Sequence, residues 1–298
     1  MIHLFYFLFF EVFLFAYFNG RFFSETKGII PITDRGFLFG DGVFSTLLIE
    51  DGVPLFLEEQ LQKLYHQCSV VNILPPDISK ELIISVIEKN KAYDKPYSMK
   101  IIISGGSSTK KRLHLRKGTL AIFLQTFQID SIDLKVNIFP FPFHLCHSWY
   151  KSLANLNRLY VLDYAKSNDY DDAITHTYND ILLETSFGNI FWIINENVFT
   201  PNPNTLPLYF GITINKITNI LKKFSYDIHF VEQNYHSFPK EALLFRTSSL
   251  TGIKPIRKLN DIVLKKSDSI TLFLQNLYKK LIEDYKTNYF NSTIPAPF

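Results

Sequence analysis

A chain of 298 residues is too long for one small core and too short for three ordinary domains, so two domains of about 120 to 160 residues are expected. Hydrophobic residues make up 47% and charged residues 20%, which excludes an intrinsically disordered chain. A scattered net charge of +3 without a basic run argues against a nucleic-acid partner, and the two cysteines, Cys68 and Cys146, give neither a disulfide framework nor a zinc-site spacing.

Met1 to Phe18 is almost wholly apolar and of borderline length for a membrane span. Glu11 in its middle, no Lys or Arg before it and no small-residue cleavage site favour a buried extension over a signal or anchor, and with it a reducing, cytoplasmic setting. Tyr17 to Phe23 reads as a hairpin turned by Asn19-Gly20. From Asp34 to Ile49, Gly36, Gly40 and Gly42 fall in a loop leading into a strand, either a plain tight turn or a close approach to a ligand. Apolar positions 57, 61, 64, 65 and 68 trace one helical face, with Lys63 off it and expected at the surface. A second helix is expected at 79–90, a buried strand at 97–104, and strands at 120–127 and 134–139. The glycine-rich loop at 105–110 lacks the spacing of a Walker phosphate loop. Pro140 and Pro142, with His144 and His147, mark a crossing between domains.

The second half opens on Lys151, set between aromatic residues and a helix expected at 156–167. Most lysines are solvated surface charges. Strands are expected at 173–177, 181–184 and 189–194, the last turning at 195–197 into 198–200. Glu184 ends an apolar strand, so it lies at an exposed strand end or faces a cationic partner. Thr213 is placed as the N-cap of a helix carrying Ile214, Ile217, Ile220 and Leu221, either ordinary capping or an anion site. Phe245 to Ile253 is a strand running into a hydroxyl-rich turn, a second place for a phosphate, and a last helix spans about 269–285.

Taken in order, Asp34-Arg35-Gly36, Phe39-Gly40-Asp41-Gly42-Val43-Phe44, Lys151, Glu184 to Phe191, Thr200-Pro201 and Gly211-Ile212-Thr213 resemble the signature of the class IV (fold-type IV) pyridoxal phosphate (PLP) enzymes. That family includes branched-chain and D-amino-acid aminotransferases and 4-amino-4-deoxychorismate lyase. The resemblance implies an α/β fold of D-amino-acid aminotransferase-like, fold-type IV architecture. It divides the chain into an apolar extension at 1–15, a small α+β domain at 16–138, a connector at 139–148 and a larger α/β domain at 149–298. PLP lies between the domains, the substrate is a small anion, the assembly is a homodimer, and no metal is needed.

Residue by residue, the resemblance implies that Lys151 holds the PLP aldehyde as a Schiff base and later moves protons. Glu184 faces the pyridine nitrogen, Ile212 and Thr213 supply a helix start to the phosphate, and Ser249 adds a hydroxyl. Lys63 stands where the family has a phosphate-binding arginine, replacing a bidentate fork with a point charge. Leu156 replaces a cofactor-contacting tyrosine, Gly105 replaces a substrate-binding arginine of the D-amino-acid enzymes, and Ser45 stands where many aminotransferases have Glu. Lys100 occupies a position for a cationic substrate contact, or is a strand-end lysine without a role; Phe39, Phe44 and Ser45 complete the expected substrate contacts.

Within the family, Phe44-Ser45-Thr46, Leu156-Asn157-Arg158-Leu159, Asn189-Ile190-Phe191-Trp192 and Ser248 to Ile256 are similar to stretches of the lyase. The implied reaction releases pyruvate and 4-aminobenzoate from aminodeoxychorismate, a step in making a folate precursor. The substrate amine displaces Lys151, the freed lysine takes the ring proton, and Thr46 protonates the departing enolpyruvyl group. The alternative is an aminotransferase that uses the same Lys151 and Glu184 with a 2-oxo acid acceptor. A third reading, a binding or structural protein that kept the fold, follows from the departures at Lys63 and Leu156.

Overall fold

The computed structural model describes residues 14–24, 27–128, 133–143 and 149–293. Most of the apolar opening run, residues 1–13, lies outside the described residues, as do His144, Cys146 and His147. Among the described residues, no helix is long and apolar enough to cross a membrane.

The first half contains β1 (Phe15–Phe18), β2 (Arg21–Ser24), α1 (Arg35–Phe39), β3 (Gly42–Glu50), β4 (Val53–Pro54), α2 (Leu57–Val70), β5 (Ile73–Leu74), α3 (Lys80–Asn90), β6 (Tyr97–Ser104), β7 (Arg116–Lys117) and β8 (Thr119–Thr126). Its main sheet runs β2-β1-β8-β6-β3-β4, while β5 and β7 pair separately. Asn19 and Gly20, at φ 42° and 92°, turn the β1–β2 hairpin as expected, because both positions of such a tight turn need positive φ. The end of the apolar opening run is therefore a strand.

The glycine stretch is a helix and not the expected loop. Asp34 caps α1 by accepting from the Gly36 and Phe37 N–H groups at 2.8 and 3.3 Å, and Gly40 ends it in the left-handed region at φ 64°. Five residues are too few for apolar periodicity to register, so only the caps carried the signal.

The second half contains β9 (Leu134–Ile138), α4 (Leu156–Ser167), β10 (Asp172–His176), β11 (Leu182–Thr185), β12 (Asn189–Ile194), β13 (Asn197–Pro201), α5 (Ile212–Lys223), β14 (Asp227–Val231), β15 (Leu243–Ser248), β16 (Gly252–Leu259), β17 (Ile262–Val263) and α6 (Asp268–Thr293). They build a sheet ordered β11-β10-β9-β16-β15-β12-β13-β14, with β17 on β16. Strand β9 pairs in parallel with β10 and β16, so the change of sheet falls before residue 134 rather than at 139–148. Its alternating pattern would suit either sheet, and only the pairing decides. Strands β10, β11 and β12 match the expected positions to within a residue or two.

One core lies under the first sheet, where Val43, Leu47 and Ile49 meet Leu64 and Cys68 of α2 and Val86 of α3. A second core crosses the seam: Leu48, Val53 and Phe56 pack with Phe191 and Phe245 of the second sheet and with Leu274, Tyr278 and Ile282 of α6. The two sheets are thus joined by apolar contact, and the cavity described next opens along that seam. The fold is α/β.

Candidate active site

Period-2 alternation decides what β3 and β6 show to the cavity. The odd residues of β3 face the first core, while Phe44 and Thr46 face the seam. Lys100 on β6 is the direct cross-strand partner of Thr46, so it shares that face. These three line a cavity of about 360 Å³ whose far wall comes from the second half: Glu184 and Asn189 on its sheet, Tyr209 in a loop, Ile212 and Thr213 at the start of α5, and Ser249 in the turn after β15. Lys151 lines it too.

Lys151 reaches the cavity because its segment is an added rung on β3. Ser152 bridges Val43, the Phe44 N–H donates to the Lys151 carbonyl at 3.0 Å, and the Leu153 N–H donates to the Gly42 carbonyl at 3.0 Å. On the other side, the Lys151 N–H donates to Gln67 Oε1 at 2.6 Å. The main chain is therefore fixed on both flanks, and its side chain lies 5.0 Å from the Tyr209 ring and 5.9 Å from the Phe44 ring. Burial, helped by the positive charges of Arg158, Lys63 and Lys100 and opposed by Glu184, lowers the Lys151 ammonium to about 8. A population of free amine, the nucleophilic form, is present near neutrality.

Glu184 is 4% exposed, and the structure chooses the paired alternative for it. Arg158 Nη2 donates to Glu184 Oε1 at 2.6 Å, the Tyr209 N–H donates to the same oxygen at 3.3 Å, and Asn189 Nδ2 donates to Oε2 at 3.4 Å. Asn189 also accepts the Gly211 N–H at 2.9 Å and donates to the Tyr209 carbonyl at 2.7 Å, which ties the carboxylate to the start of α5. Gly211, and not Thr213, is the N-cap; Thr213 is the second helical residue, and the opening N–H groups of α5 lie at the cavity wall. A helix start favours an anion here.

On the opposite flank, Ser249 Oγ accepts from Gln60 Nε2 at 3.2 Å and keeps its own proton to donate. Thr247 Oγ1 is buried in the same wall with no hydrogen-bond partner among the described residues. Lys63 is drawn inward rather than solvated: its amine lies 4.2 Å from the Tyr209 ring and donates to the Phe210 carbonyl, and burial, partly offset by Glu184, lowers it to about 8. The expectation of a surface lysine fails because α2 has a second inward stripe, Gln60, Lys63 and Gln67, that an apolar periodicity count overlooks. Lys100 is lowered as well, by burial, and its amine lies 4.4 Å from the Phe44 ring.

Two expected substrate contacts are not brought in. Ser45 lies on the odd face of β3, buried, where its hydroxyl donates to Gln60 Oε1 at 2.6 Å. Phe39, at the end of α1, is 46% exposed and borders a neighbouring cavity of about 510 Å³ that lacks Lys151. Of the departures noted above, Leu156 is exposed at the first residue of α4, and Gly105 sits in the loop whose N–H donates to the Asp41 carbonyl. Sequence reasoning missed Arg158 as the partner of Glu184, the amide of Asn189, and Gln60 and Gln67 of α2. Arg158 and Asn189 lay within stretches that resemble the family, but nothing local joined either to Glu184, and the two glutamines carry no local signal.

Comparison with known proteins agrees with this geometry. Residues 42–259 match the family model described as amino-transferase class IV. The chain is 26% identical over 289 residues to the aminodeoxychorismate lyase of Bacillus subtilis, covering 90% of this chain and 94% of that one. The fold superposes on a branched-chain aminotransferase from Thermoproteus uzoniensis with a TM-score of 0.83 at 17% identity, covering 93% and 97% of the two chains. It also superposes on the PLP-bound form of a hypothetical aminotransferase from Mycobacterium tuberculosis with a TM-score of 0.78 at 16% identity, covering 91% and 99%.

Proposed function

The chain belongs to the amino-transferase class IV family, and from that premise we propose that it is a cytoplasmic, PLP-dependent 4-amino-4-deoxychorismate lyase that yields 4-aminobenzoate and pyruvate. The residues present suit PLP. A buried amine near neutrality, a carboxylate held in place by three donors, and a wall combining helix N–H groups, the Ser249 hydroxyl and the unpartnered Thr247 hydroxyl together accept an aldehyde, a cationic ring nitrogen and a phosphate. Lys151 would hold the aldehyde carbon, Glu184 the ring nitrogen, and Ile212, Thr213 and Ser249 the phosphate, with Lys63 adding charge nearby. When bound, PLP supplies an electron-accepting ring conjugated to the substrate carbon that loses its proton.

The remaining chemistry falls to the chain. Lys151 Nζ, once free, takes the proton from the substrate ring, and its low basicity lets it pass that proton on. Thr46 Oγ1 donates to the departing enolpyruvyl carbon, and Lys100, beside it on the neighbouring strand, holds a substrate carboxylate. The observation that carries the lyase reading is this pair: a hydroxyl and an ammonium side by side on the wall that also carries Phe44, in the cavity of Lys151. The likeness to the Bacillus subtilis lyase supports it. Phe37, Leu38, Leu113, Leu115 and Trp149 are exposed, and apolar side chains of this size at the surface support a homodimer.

The test is a coupled assay on purified, PLP-loaded protein. Aminodeoxychorismate should yield 4-aminobenzoate and pyruvate in equal amounts. Brisk turnover of amino-acid and oxo-acid pairs with no 4-aminobenzoate would replace this reading with an aminotransferase that uses the same Lys151 and Glu184, the activity of the Thermoproteus enzyme whose fold this chain resembles.

A further inference from the structure

In the wall of the cavity, which Arg246 itself lines, lies a second ion pair that the proposed chemistry does not use. Arg246 on β15 donates through Nη1 to Asp172 Oδ2 at 3.0 Å and through Nη2 to Thr251 Oγ1 at 3.2 Å. Asp172, at the start of β10, is 1% exposed, and its other oxygen accepts both the Ser186 hydroxyl at 2.6 Å and the Ser186 N–H at 3.1 Å. In the sheet order β9 and β16 separate β10 from β15, and the pair meets beside the 185–188 turn, with Ser186 on Asp172 and Gly188 against Arg246. One end of this brace is the turn that follows Glu184. The other is the turn at 248–251, where Thr251 Oγ1 meets Ser248 Oγ at 2.7 Å and the Thr251 N–H donates to Ser248 Oγ at 3.1 Å.

The turn after Glu184 is shaped to receive the arginine. A Cβ on Gly188 would lie 2.9 Å from Arg246 Cγ and 2.7 Å from the Thr247 carbonyl oxygen, so the stem of the arginine rests directly on that glycine. Guanidinium suits the task because its planar fork can hold a carboxylate and a hydroxyl at once, which an ammonium cannot do in fixed geometry.

We propose that Arg246, seated on Asp172, is a positioning residue that holds the 248–251 turn in its anion-binding form and so sets affinity for the cofactor phosphate. This rests on the PLP reading above. Arg246 would act through Thr251 and Ser248 on Ser249, and through Ser186 it would keep the phosphate wall in register with Glu184.

The experiment compares the binding of PLP with that of pyridoxal, which lacks the phosphate, by apoprotein of wild type, Arg246→Lys, and the double variant Arg246→Met with Asp172→Asn. The lysine keeps a charge against Asp172 but loses the fork, and the double variant leaves no buried charge alone. Expected is about a tenfold loss of PLP affinity in both variants, with pyridoxal affinity and melting temperature close to wild type. Parallel loss of both affinities, or no loss of PLP affinity in folded protein, overturns the proposal. Wild-type protein that binds neither compound overturns the cofactor reading itself, and this proposal with it.

Discussion

Gln67 of α2 and Lys151 are joined by a 2.6 Å hydrogen bond from the lysine main-chain N–H to the glutamine Oε1, so the amine proposed to hold the cofactor is mounted on the first sheet and its helix. Glu184, Thr213 and Ser249 belong to the second sheet and its helix. The seam core is therefore what keeps the amine and its partners in register. Gln67→Leu should lower stability by about 1–3 kcal/mol, the cost of leaving a buried N–H without an acceptor. At saturating PLP it should also cut borohydride-fixed label at Lys151 several-fold. Denaturant melts and peptide mapping measure the two effects, and normal labelling in a destabilised variant would reduce Gln67 to a core residue.

The pH dependence of cofactor capture has a definite sign. Burial and the neighbouring cations lower the Lys151 amine from 10.5 to about 8, so it is mostly protonated at pH 7 and mostly free at pH 9. Stopped-flow capture of PLP by apoprotein should accelerate with a midpoint near 8, not near 10.5. Glu184 pushes the other way, so Glu184→Gln should move the midpoint down. Linkage gives a second readout: between about 8 and 10.5 the unfolded chain binds the proton and the folded chain does not, so stability rises with pH across that window. Lys151→Met should lessen that rise and leave the part that Lys63, lowered to about 8 as well, contributes.

Lys63 predicts the opposite trend for the phosphate end. Its amine is also lowered to about 8, by burial first, so its charge fades as pH rises through that value. Affinity for a PLP analogue without the aldehyde, which cannot report on Lys151 capture, should fall between pH 7 and pH 9. Lys63→Arg keeps its charge and should remove the fall, binding roughly tenfold tighter than wild type at pH 9. Lys63→Met should bind weakly at both. Equal affinity at pH 7 and pH 9 in wild type would place Lys63 outside the cofactor's field.

These predictions draw unequally on what the residue pattern discloses. Strand β6 was readable because it alternates buried and half-buried residues, and β12 because an unbroken apolar run sits between turn residues. Lys151 and Glu184 were readable from the ordered signature, Thr46, Lys100 and Ser249 only as single positions of the resemblance, and the structure brings all five to one cavity. Ser45 was misread because one step along a strand reverses the face, and Phe44 and Thr46 already occupied the cavity side. Gln67 was hidden in a helix whose apolar stripe faces elsewhere, and Lys63 of that helix was readable only through the family resemblance. The Arg158–Glu184 and Arg246–Asp172 pairs join residues 26 and 74 apart in the chain, a proximity that no local periodicity encodes.

The last helix adds a capping relationship that can be tested apart from the chemistry. Phe56, the N-cap of α2, sits in the left-handed region at φ 57° with no side-chain cap of its own. The Tyr285 hydroxyl of α6 takes that role, accepting the Leu57 N–H at 3.0 Å and donating to Glu58 Oε2 at 2.7 Å. Next to it, Lys286 binds Asp51 at 2.7 Å and Glu50 at 3.0 Å; burial works against its charge, but these carboxylates overcome it and raise its pKa. Tyr285→Phe keeps the ring against Phe56, 5.0 Å away, and deletes only the hydroxyl. Losing a cap costs about 1 kcal/mol. Amide exchange should therefore quicken in the first turn of α2, at Leu57 to Gln60, and stay unchanged in α3, which Ser79 caps. Because that same helix carries Gln60, Lys63 and Gln67, PLP affinity should weaken modestly with it. Uniformly faster exchange across α2 and α3 would mean that the hydroxyl supports the whole fold and not the start of one helix.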